Sequence, residues 1–518
     1  MGNLTLFTGG LAFSTENKAL DSQSENSLLT VSKQKELKEI RVTAPSVVGV
    51  NEPFTVGIRL LTTPFFTGWG PVWQRFGTTV NGSFNVSSRG IRYMDNVLPR
   101  FENSVRIEGD EGFSGISTYS FKEGAGPYHN DKRPIRRLDN FKFTTPGVKY
   151  IRVVDPETGI TGVSNAILVE SIPPTDRLYW GNLHCHSIFG DGVRLPEDIY
   201  AFARDESFLD VFALTDHTEA LTNGQWTYFK QVTNEFNEDG RFVTFLGGEW
   251  TSPEHGHKNY IYPGNDGIIL RCNDPNQDTP HKVFQLAKKH GALVIANHTA
   301  SSGHTTRWEG NHDPEVQRLV EVYSIGGINE MMFGFGTRFK NRAKEDEVAG
   351  SHAIDGLKRG YRLGMIGTGD DHDGRPGDSL HHLQEKPESY KFLKEPGLMG
   401  VWADELSREA IFAALWNRHV FGTTNNRTLL RFSINGHKMG SEIKTRGKLD
   451  IQVEVAGNHN IQKVELIKEG QVVDTLEPLK KAVQWSISNQ SVSAPTWYYI
   501  RVLMDNEHIA WASPIWID

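Results

Sequence analysis

The chain has 518 residues, 37% of them apolar and 10% aromatic, with 55 basic against 63 acidic side chains and a formal net charge of −8. That length calls for two to four domains, while a mean hydropathy of −0.44 and the lack of any apolar run near ~18 residues exclude a helical membrane span. The negative balance argues against nucleic acid as the main partner, since such binding rests on phosphate neutralisation, and two cysteines, Cys185 and Cys272, cannot build a disulfide framework.

Residues 1–38 read as an N-terminal arm. Its opening, MGNLTLFTGG, has no basic n-region and no small-residue cleavage site, so a cytoplasmic protein is expected. Leu6 stands where a myristoylation signal on Gly2 needs Ser or Thr. From 39 to 172, short segments rich in Val, Ile, Thr and Phe (IRVTAPSVVGV, FTVGIRLL, FKFTTPGVKYIRVVD) are separated by Pro and Gly, the cadence of a β-sandwich domain. Inside it, TTPFFTGWGPVWQRFG and GPYHNDKRPIRR are long for sandwich turns and are expected as loops, either over a site or in solvent.

ESIPPTD, with Pro173 and Pro174, marks a linker, and from 173 to 429 the rhythm becomes strand, helix, strand. LYWGNLHCHS, LDVFALTDH, ALVIANH, VQRLVEVYS, LGMIGTGDDH and HVFGTT read as buried strands; LPEDIYAFARD and TPHKVFQLAKKHG read as helices, opened by Pro196 and closed by Gly291 respectively. This alternation predicts an α/β fold on a parallel sheet, either a barrel or an open sheet. From 430 to 518, LDIQVEVAG, IQKVELIKEGQVVDTLEP and WYYIRVLMDNEHIAWASPIWI predict a C-terminal β-sandwich domain.

Chemistry-bearing residues fall at the ends of these strands. His184 and His186 flank Cys185, so on a strand both imidazoles share one face and the thiol takes the other. His217 ends LTDH, Glu249 ends FLGGEW, His298 ends VIANH, and Asp370 and His372 end GTGDDH. Strand C-terminal ends are where parallel barrels build their sites, and one metal-binding rim accounts for all five at once. His257 is preferred over His255 because it directly precedes NYIYP, and Asp370 competes with Asp371. His304 is a candidate for substrate contact, His381 and His382 read as a surface pair, and Cys185 as a small buried apolar residue.

The ordered set HCHSIFGDG, TDH, GGE, ANH and DDH resembles the PHP (polymerase and histidinol phosphatase) superfamily over about residues 178–425. It is closest to a bacterial branch filed as a domain of unknown function, in which LYWGNLH, GDDHDGRPG and HVFGTTNNRTLLRFSINGHKMG recur in similar form with β-rich flanks. The resemblance implies a distorted (β/α)7 barrel with a trinuclear centre. It would place His184, His186, Glu249 and Asp370 around one metal, Glu249 with His257 and His298 around a second, and Asp191, His217 and His372 around a third.

Imidazole and carboxylate ligands without thiolate suit two or three Zn, Mn or Fe ions. Such ions acidify a water and clamp the oxygens of a displacement at phosphorus, so hydrolysis of a phosphomonoester, phosphodiester or phosphonate ester is expected. Asp191, His217 and Glu249 would serve that chemistry, and Arg375, Arg307 or Lys258 would neutralise the phosphoryl oxygens of a small soluble substrate. Asp216 is expected to orient a ligand. The alternatives are an amidohydrolase-like cleavage of C–N or C–O bonds by the same metals, or a non-enzymatic glycan- or partner-binding protein with a structural metal. The sequence carries no signal for oligomeric state.

Overall fold

A computed structural model describes residues 35–518 except 71–73, 77–84, 88–90, 129–130, 333–338, 340–346, 381–394 and 489. His381, His382 and nearly all of the N-terminal arm lie outside the described residues. The unit considered below is Leu37–Asp518.

The first third is built from three small sheets around one core. Glu39–Thr43, Phe54–Gly70, Ile91–Val97, Phe113–Ser114 and Ile135–Phe143 form the first sheet, with antiparallel pairing. Ser104–Gly109, Thr118–Ser120, Ile151–Val154 and Thr161–Val163 form the second, and Val47–Gly49, Gly147–Lys149 and Ile167–Glu170 the third. Alternate residues point inward, as strand geometry requires: Ile40, Val42, Val56 and Ile58 from the first sheet meet Val105, Ile107, Ile151 and Val153 from the second and Val48, Ile167 and Val169 from the third. Both long loops expected here differ from that reading. TTPFFTGWG continues the 17-residue strand Phe54–Gly70, with Phe65, Phe66, Gly68, Trp69 and Gly70 paired to Ile91–Val97 across two register shifts. GPYHNDKRPIRR is pinned rather than free: Arg133 bonds Asp131 at 3.0 Å and Glu206 at 2.9 Å.

The central sheet carries the site. β1 (Arg177–Asn182), β2 (Val211–Leu214) and β3 (Val243–Ser252) run parallel. β4 (Gly256–Ile261) returns antiparallel to β3, and β5 (Leu293–Ala296) runs antiparallel to β4. β6 (Gln317–Ser324) and β7 (Gly364–Gly367) then continue in parallel. On the other flank β8 (Leu398–Ala403) pairs antiparallel with β1, and β9 (Val420–Thr423) antiparallel with β8. β7 and β9 nearly touch: a Cβ on Gly422 would stand 2.5 Å from the amide nitrogen of Gly367, so only glycine fits there. Val211, Ala213, Val243, Phe245, Ile295, Leu319, Ile366 and Met399 fill the interior.

Among the described residues, five α-helices pack on this sheet: α1 (Pro196–Ala201), α2 (Asn223–Phe236), α3 (Pro280–His290), α4 (Ala353–Lys358) and α5 (Arg408–Trp416). α1 begins with Pro196 at its first turn and α3 ends at Gly291, as read from sequence; α3 also begins with a proline, Pro280. α2 is opened by a capping box in which the Gln225 amide donates to the Thr222 hydroxyl at 3.2 Å and the Thr222 amide to the Gln225 side-chain oxygen at 2.8 Å.

The distorted (β/α)7 barrel implied by the resemblance is not shown: the structure is mostly β-sheet, 42% strand against 12% helix. The departure is local. Pro253, Glu254 and His255 lead into Gly256 at φ 75°, a left-handed turn that sends the chain straight back as β4 with no helix between.

The C-terminal segment is all β, with Leu429–Ile434, Ile451–Lys468, Gln471–Leu476, Lys480–Ile487, Thr496–Met504, Ile509–Ala512 and Ile515–Ile517 as its main strands. Its strands are hydrogen-bonded into the central sheet through Phe421 with Ala512, Gly422 with Trp511 and Thr423 with Ala510.

Candidate metal centre

The chain leaves β1 at Asn182 and stays extended, so His184, Cys185 and His186 keep strand alternation. The turn after β7 runs beside it: the Asp370 amide donates to the His184 carbonyl at 2.8 Å and the His186 amide to the Asp371 carbonyl at 2.8 Å. That register puts Asp370 on the imidazole side and Asp371 on the thiol side. The Asp370 carboxylate lies 3.4 Å from His184 Nε2 and 3.3 Å from His186 Nε2, whereas the Asp371 carboxylate accepts from Asn182 at 2.7 Å. Cys185 is fully buried in the apolar core, as expected.

Glu249, on β3, is the hub. One oxygen lies 3.3 Å from His184 Nε2, 3.3 Å from His257 Nδ1 and 3.6 Å from His298 Nε2, and the other lies 2.8 Å from His217 Nδ1. Asp191 gathers a second set, at 3.6 Å from His186 Nδ1, 3.5 Å from His217 Nε2 and 3.2 Å from His372 Nε2. The nine candidate ligands therefore lie together.

They form four overlapping sets in which one ligand atom per residue lies within 4.8 Å of the others: His186, Asp191, His217 and His372; His184, His298 and Asp370; His184, His186 and Glu249; His217, Glu249 and His257. The grouping departs from the expectation in three places. His186 sits with the Asp191 set as well as with Glu249, His217 sits with Glu249 and His257 as well as with Asp191, and His298 is grouped with His184 and Asp370, although one Glu249 oxygen reaches both it and His257. Of the competing pair, His257 joins the cluster and His255 belongs to none of these sets.

Electrostatics follow from packing three carboxylates among six rings. Burial alone would drive the rings neutral. Asp370 and Glu249 nonetheless hold His184 well above the ordinary histidine value, Asp191 and Glu249 do so for His217, and Asp191 raises His372 to about 9. Burial, reinforced by His372 and His217, pushes His186 down to about 4, and burial pushes His257 to about 4 against Glu249. Burial would raise the acids, but the surrounding rings hold Asp191, Glu249 and Asp370 well below the carboxylate range.

Two site residues also store backbone strain, His298 at φ 24° and Asp370 at φ 55°, which persists only where surrounding contacts enforce it. In addition, His184 Nε2, both ring nitrogens of His186, Asp191 Oδ1, Glu249 Oε2, His257 Nδ1 and His298 Nδ1 are buried without a hydrogen-bond partner among the described residues. An orphaned buried polar atom costs about 1–3 kcal/mol. Seven of them on the clustered residues fit a divalent-cation centre, and a nitrogen-rich set suits Zn, Mn or Fe.

The phosphate-binding expectations are corrected in part. Arg375 is 1% exposed and faces away from the cluster, bonding Asp95 at 3.1 Å, Asn96 at 2.6 Å and Asp378 at 2.8 Å, so it is an internal ion-network residue. Lys258 alternates with His257 on β4 and therefore points to the opposite face. Its ammonium bonds the His255 carbonyl at 2.9 Å over the Trp250 ring, and burial lowers its pKa to about 7. Arg307 is exposed on the segment after His304. His304 does reach the cluster, with Nδ1 3.1 Å from His257 Nε2. Asp216 accepts from the Ser187 amide at 2.6 Å and lies 3.8 Å from His186 Nδ1, beside a ligand rather than among them.

Three contacts went unread in the sequence. Glu321 bonds His184 Nδ1 at 2.8 Å, Asn297 donates to Glu249 at 2.9 Å, and Thr251 bonds His217 Nδ1 at 2.7 Å. The one available signal was Glu321 itself, a lone acid inside the apolar strand VQRLVEVYS.

Residues 375–449 match a family model described as a protein of unknown function, DUF3604. The chain is similar to an uncharacterized protein of Chlamydia pneumoniae, 28% identical over 414 residues, covering 74% of this chain and 64% of the relative. One from Chlamydia trachomatis is 28% identical over 413 residues, with the same 74% and 64% coverage. The chain thus spans less than two thirds of these relatives' length.

Among solved structures, a two-domain protein of Bacteroides vulgatus containing a predicted PHP-like metal-dependent phosphoesterase superposes with TM-score 0.34 at 17% identity, covering 66% of this chain and 96% of that one. A β-glucuronidase of Bacteroides uniformis gives TM-score 0.19 at 8% identity, over 92% of this chain and 61% of that one. Superpositions this loose do not establish a common fold, and the reading below rests on the site.

Proposed function

We propose that the chain is a metal-dependent hydrolase of phosphoester bonds, acting on a small phosphomonoester, phosphodiester or phosphonate ester. The observation that carries this reading is the set of seven orphaned, buried atoms on clustered residues drawn from separate strands and the turns after them, with Glu249 reaching five imidazoles. A structural zinc site needs only about four ligands and closes around them; nine convergent residues suit two or three ions. Zn, Mn or Fe bound there would supply Lewis acidity at a phosphoryl oxygen and acidify a water.

The chain's own residues do the rest. His184, His186, Asp191, His217, Glu249, His257, His298, Asp370 and His372 hold the ions. Glu249 spans the middle of the cluster and fixes the spacing of the two sides. Asp191, His217, Asp370 and His372 are 17%, 22%, 17% and 18% exposed at their side chains, so the substrate enters where these four meet the surface. With Arg375 and Lys258 bound internally, His304 and Arg307, on the segment that follows His298, are the side chains proposed to meet the substrate.

The test is metal content per chain by plasma mass spectrometry, run with hydrolysis of p-nitrophenyl phosphate, bis-p-nitrophenyl phosphate and a phosphonate ester. Two to three ions and chelator-sensitive turnover of one ester are expected, with both lost in Glu249→Ala. No bound ion and no turnover after reconstitution would refute the reading.

A further inference from the structure

Glu321 lies on β6, fully buried, and touches none of the orphaned atoms. Its two oxygens serve different strands. Oε2 bonds His184 Nδ1 at 2.8 Å and accepts the Thr368 hydroxyl after β7, while Oε1 accepts the His298 backbone amide at 3.2 Å. Because the carboxylate accepts at Nδ1, a proton of His184 stays there, and it is Nε2, facing Glu249 and Asp370, that gives up its proton and offers its lone pair when a cation binds. The same carboxylate grips the amide of His298, whose backbone is held at φ 24°, an unfavourable conformation for a residue with a side chain.

We infer that Glu321 is a positioning residue of the metal centre: it sets the tautomer of His184 and the strained turn of His298, and so aims both rings at one cation. This rests on the metal reading above. One carboxylate thereby organises the ends of β1, β5 and β7 from its place on β6. Glutamine cannot replace it, although it has the same shape. Both oxygens of Glu321 are acceptors, so in Glu321→Gln the side-chain NH2 would have to face either His184 or the His298 amide. Facing His184, it would move the proton to Nε2 and block the ligand atom; facing His298, it would set donor against donor and release the strained turn.

The experiment titrates metal-free parent protein, Glu321→Gln and Glu321→Ala with Zn2+ against a chromophoric chelator, and records the visible spectrum of each after loading with Co2+. Glu330→Gln is the control. Glu330 is an equally buried carboxylate, bonded by Arg501 at 2.8 Å and Trp511 at 2.6 Å on the C-terminal strands, and does not touch the cluster.

Losing such a supporting group typically costs about 10–100-fold in metal affinity. The expected result is that loss for at least one ion in both Glu321 variants, with a shifted Co2+ spectrum, while Glu330→Gln binds as the parent does. Circular dichroism of the metal-free proteins separates loss of fold from loss of ion, and Glu321→Gln alone decides if Glu321→Ala does not fold. A folded Glu321→Gln with parental affinity and spectrum overturns the positioning role and leaves the metal reading standing. An equal loss in Glu330→Gln overturns it too, by showing that any buried acid matters as much. A parent chain that takes up no ion overturns the metal reading itself, and this role with it.

Discussion

Replacing Asp378 by Asn should destabilise the chain by roughly 3 kcal/mol, and the structure says where the loss arises. Its carboxylate is 6% exposed at the side chain and meets three guanidinium groups: Arg41, 35% exposed, Arg59, 2% exposed, and Arg375, 1% exposed. Removing one partner of a buried ion pair costs about 3–5 kcal/mol, because the other charge stays buried and uncompensated. Here the lower end applies, since Arg375 keeps Asp95 and Asn96. Arg59 has no other carboxylate partner among the described residues. Arg41 is exposed enough for water to screen its charge, so Arg41→Met should cost under about 1 kcal/mol.

Burial would raise the pKa of Asp378, but Arg41, Arg59 and Arg375 hold it far below the ordinary 3.8. A depressed carboxylate stabilises the fold fully above its unfolded pKa, and that contribution fades as pH falls below it. Urea unfolding of metal-free parent and variant should therefore differ by a constant amount from pH 7 to about pH 5, and converge only below about pH 4. A difference under about 1 kcal/mol at pH 7 would refute the reasoning, as would one that grows on acidification.

Other perturbations follow from the same geometry. Lys258→Met should change turnover by less than about threefold, because its ammonium is bonded to backbone carbonyls on the far face of β4; a larger loss in steady-state kinetics would return it to the site. Asp371→Asn should keep the parental metal content by mass spectrometry, whereas Asp370→Asn should lower it, since only Asp370 faces the rings. Chelator should lower the thermal unfolding midpoint, as each ion present at about 1,000 times its Kd stabilises the fold by about 4 kcal/mol; a calorimetric scan unchanged by chelator would count against a metal centre.

What could be read from the sequence was what local rules determine. α3 ends where Gly291 placed it, and the strand ends carrying His184, His217, His298 and Asp370 were visible because apolar runs stop there, whereas Glu249, read as a strand end, lies within β3, which runs on to Ser252. The turn at Gly256 was not read, although its glycine was visible: HGHKNYIYP has the composition of a strand in either direction, and only pairing with both β3 and β5 fixes it as antiparallel. The C-terminal strands were read as strands, but their pairing with β9 joins positions about ninety residues apart, which no local pattern reports.

Arg375 and Glu321 show why charged residues near the motifs were misjudged in opposite directions. Arg375 follows His372 closely and was assigned to substrate, yet its partners Asp95 and Asn96 come from the first sheet, 280 and 279 residues away. Glu321 lies 137 residues from His184 in an apolar strand and was assigned to nothing. Sequence spacing reports which residues can share a strand face, and it picked out the residues that cluster. It is silent on which distant group answers a buried charge, and burial is what makes that answer obligatory: Arg375 and Glu321 are 1% and 0% exposed, and a group buried that deeply without polar partners would cost the fold heavily. The groups that aim the ligands are therefore set by tertiary packing even where the ligands themselves can be read from strand ends.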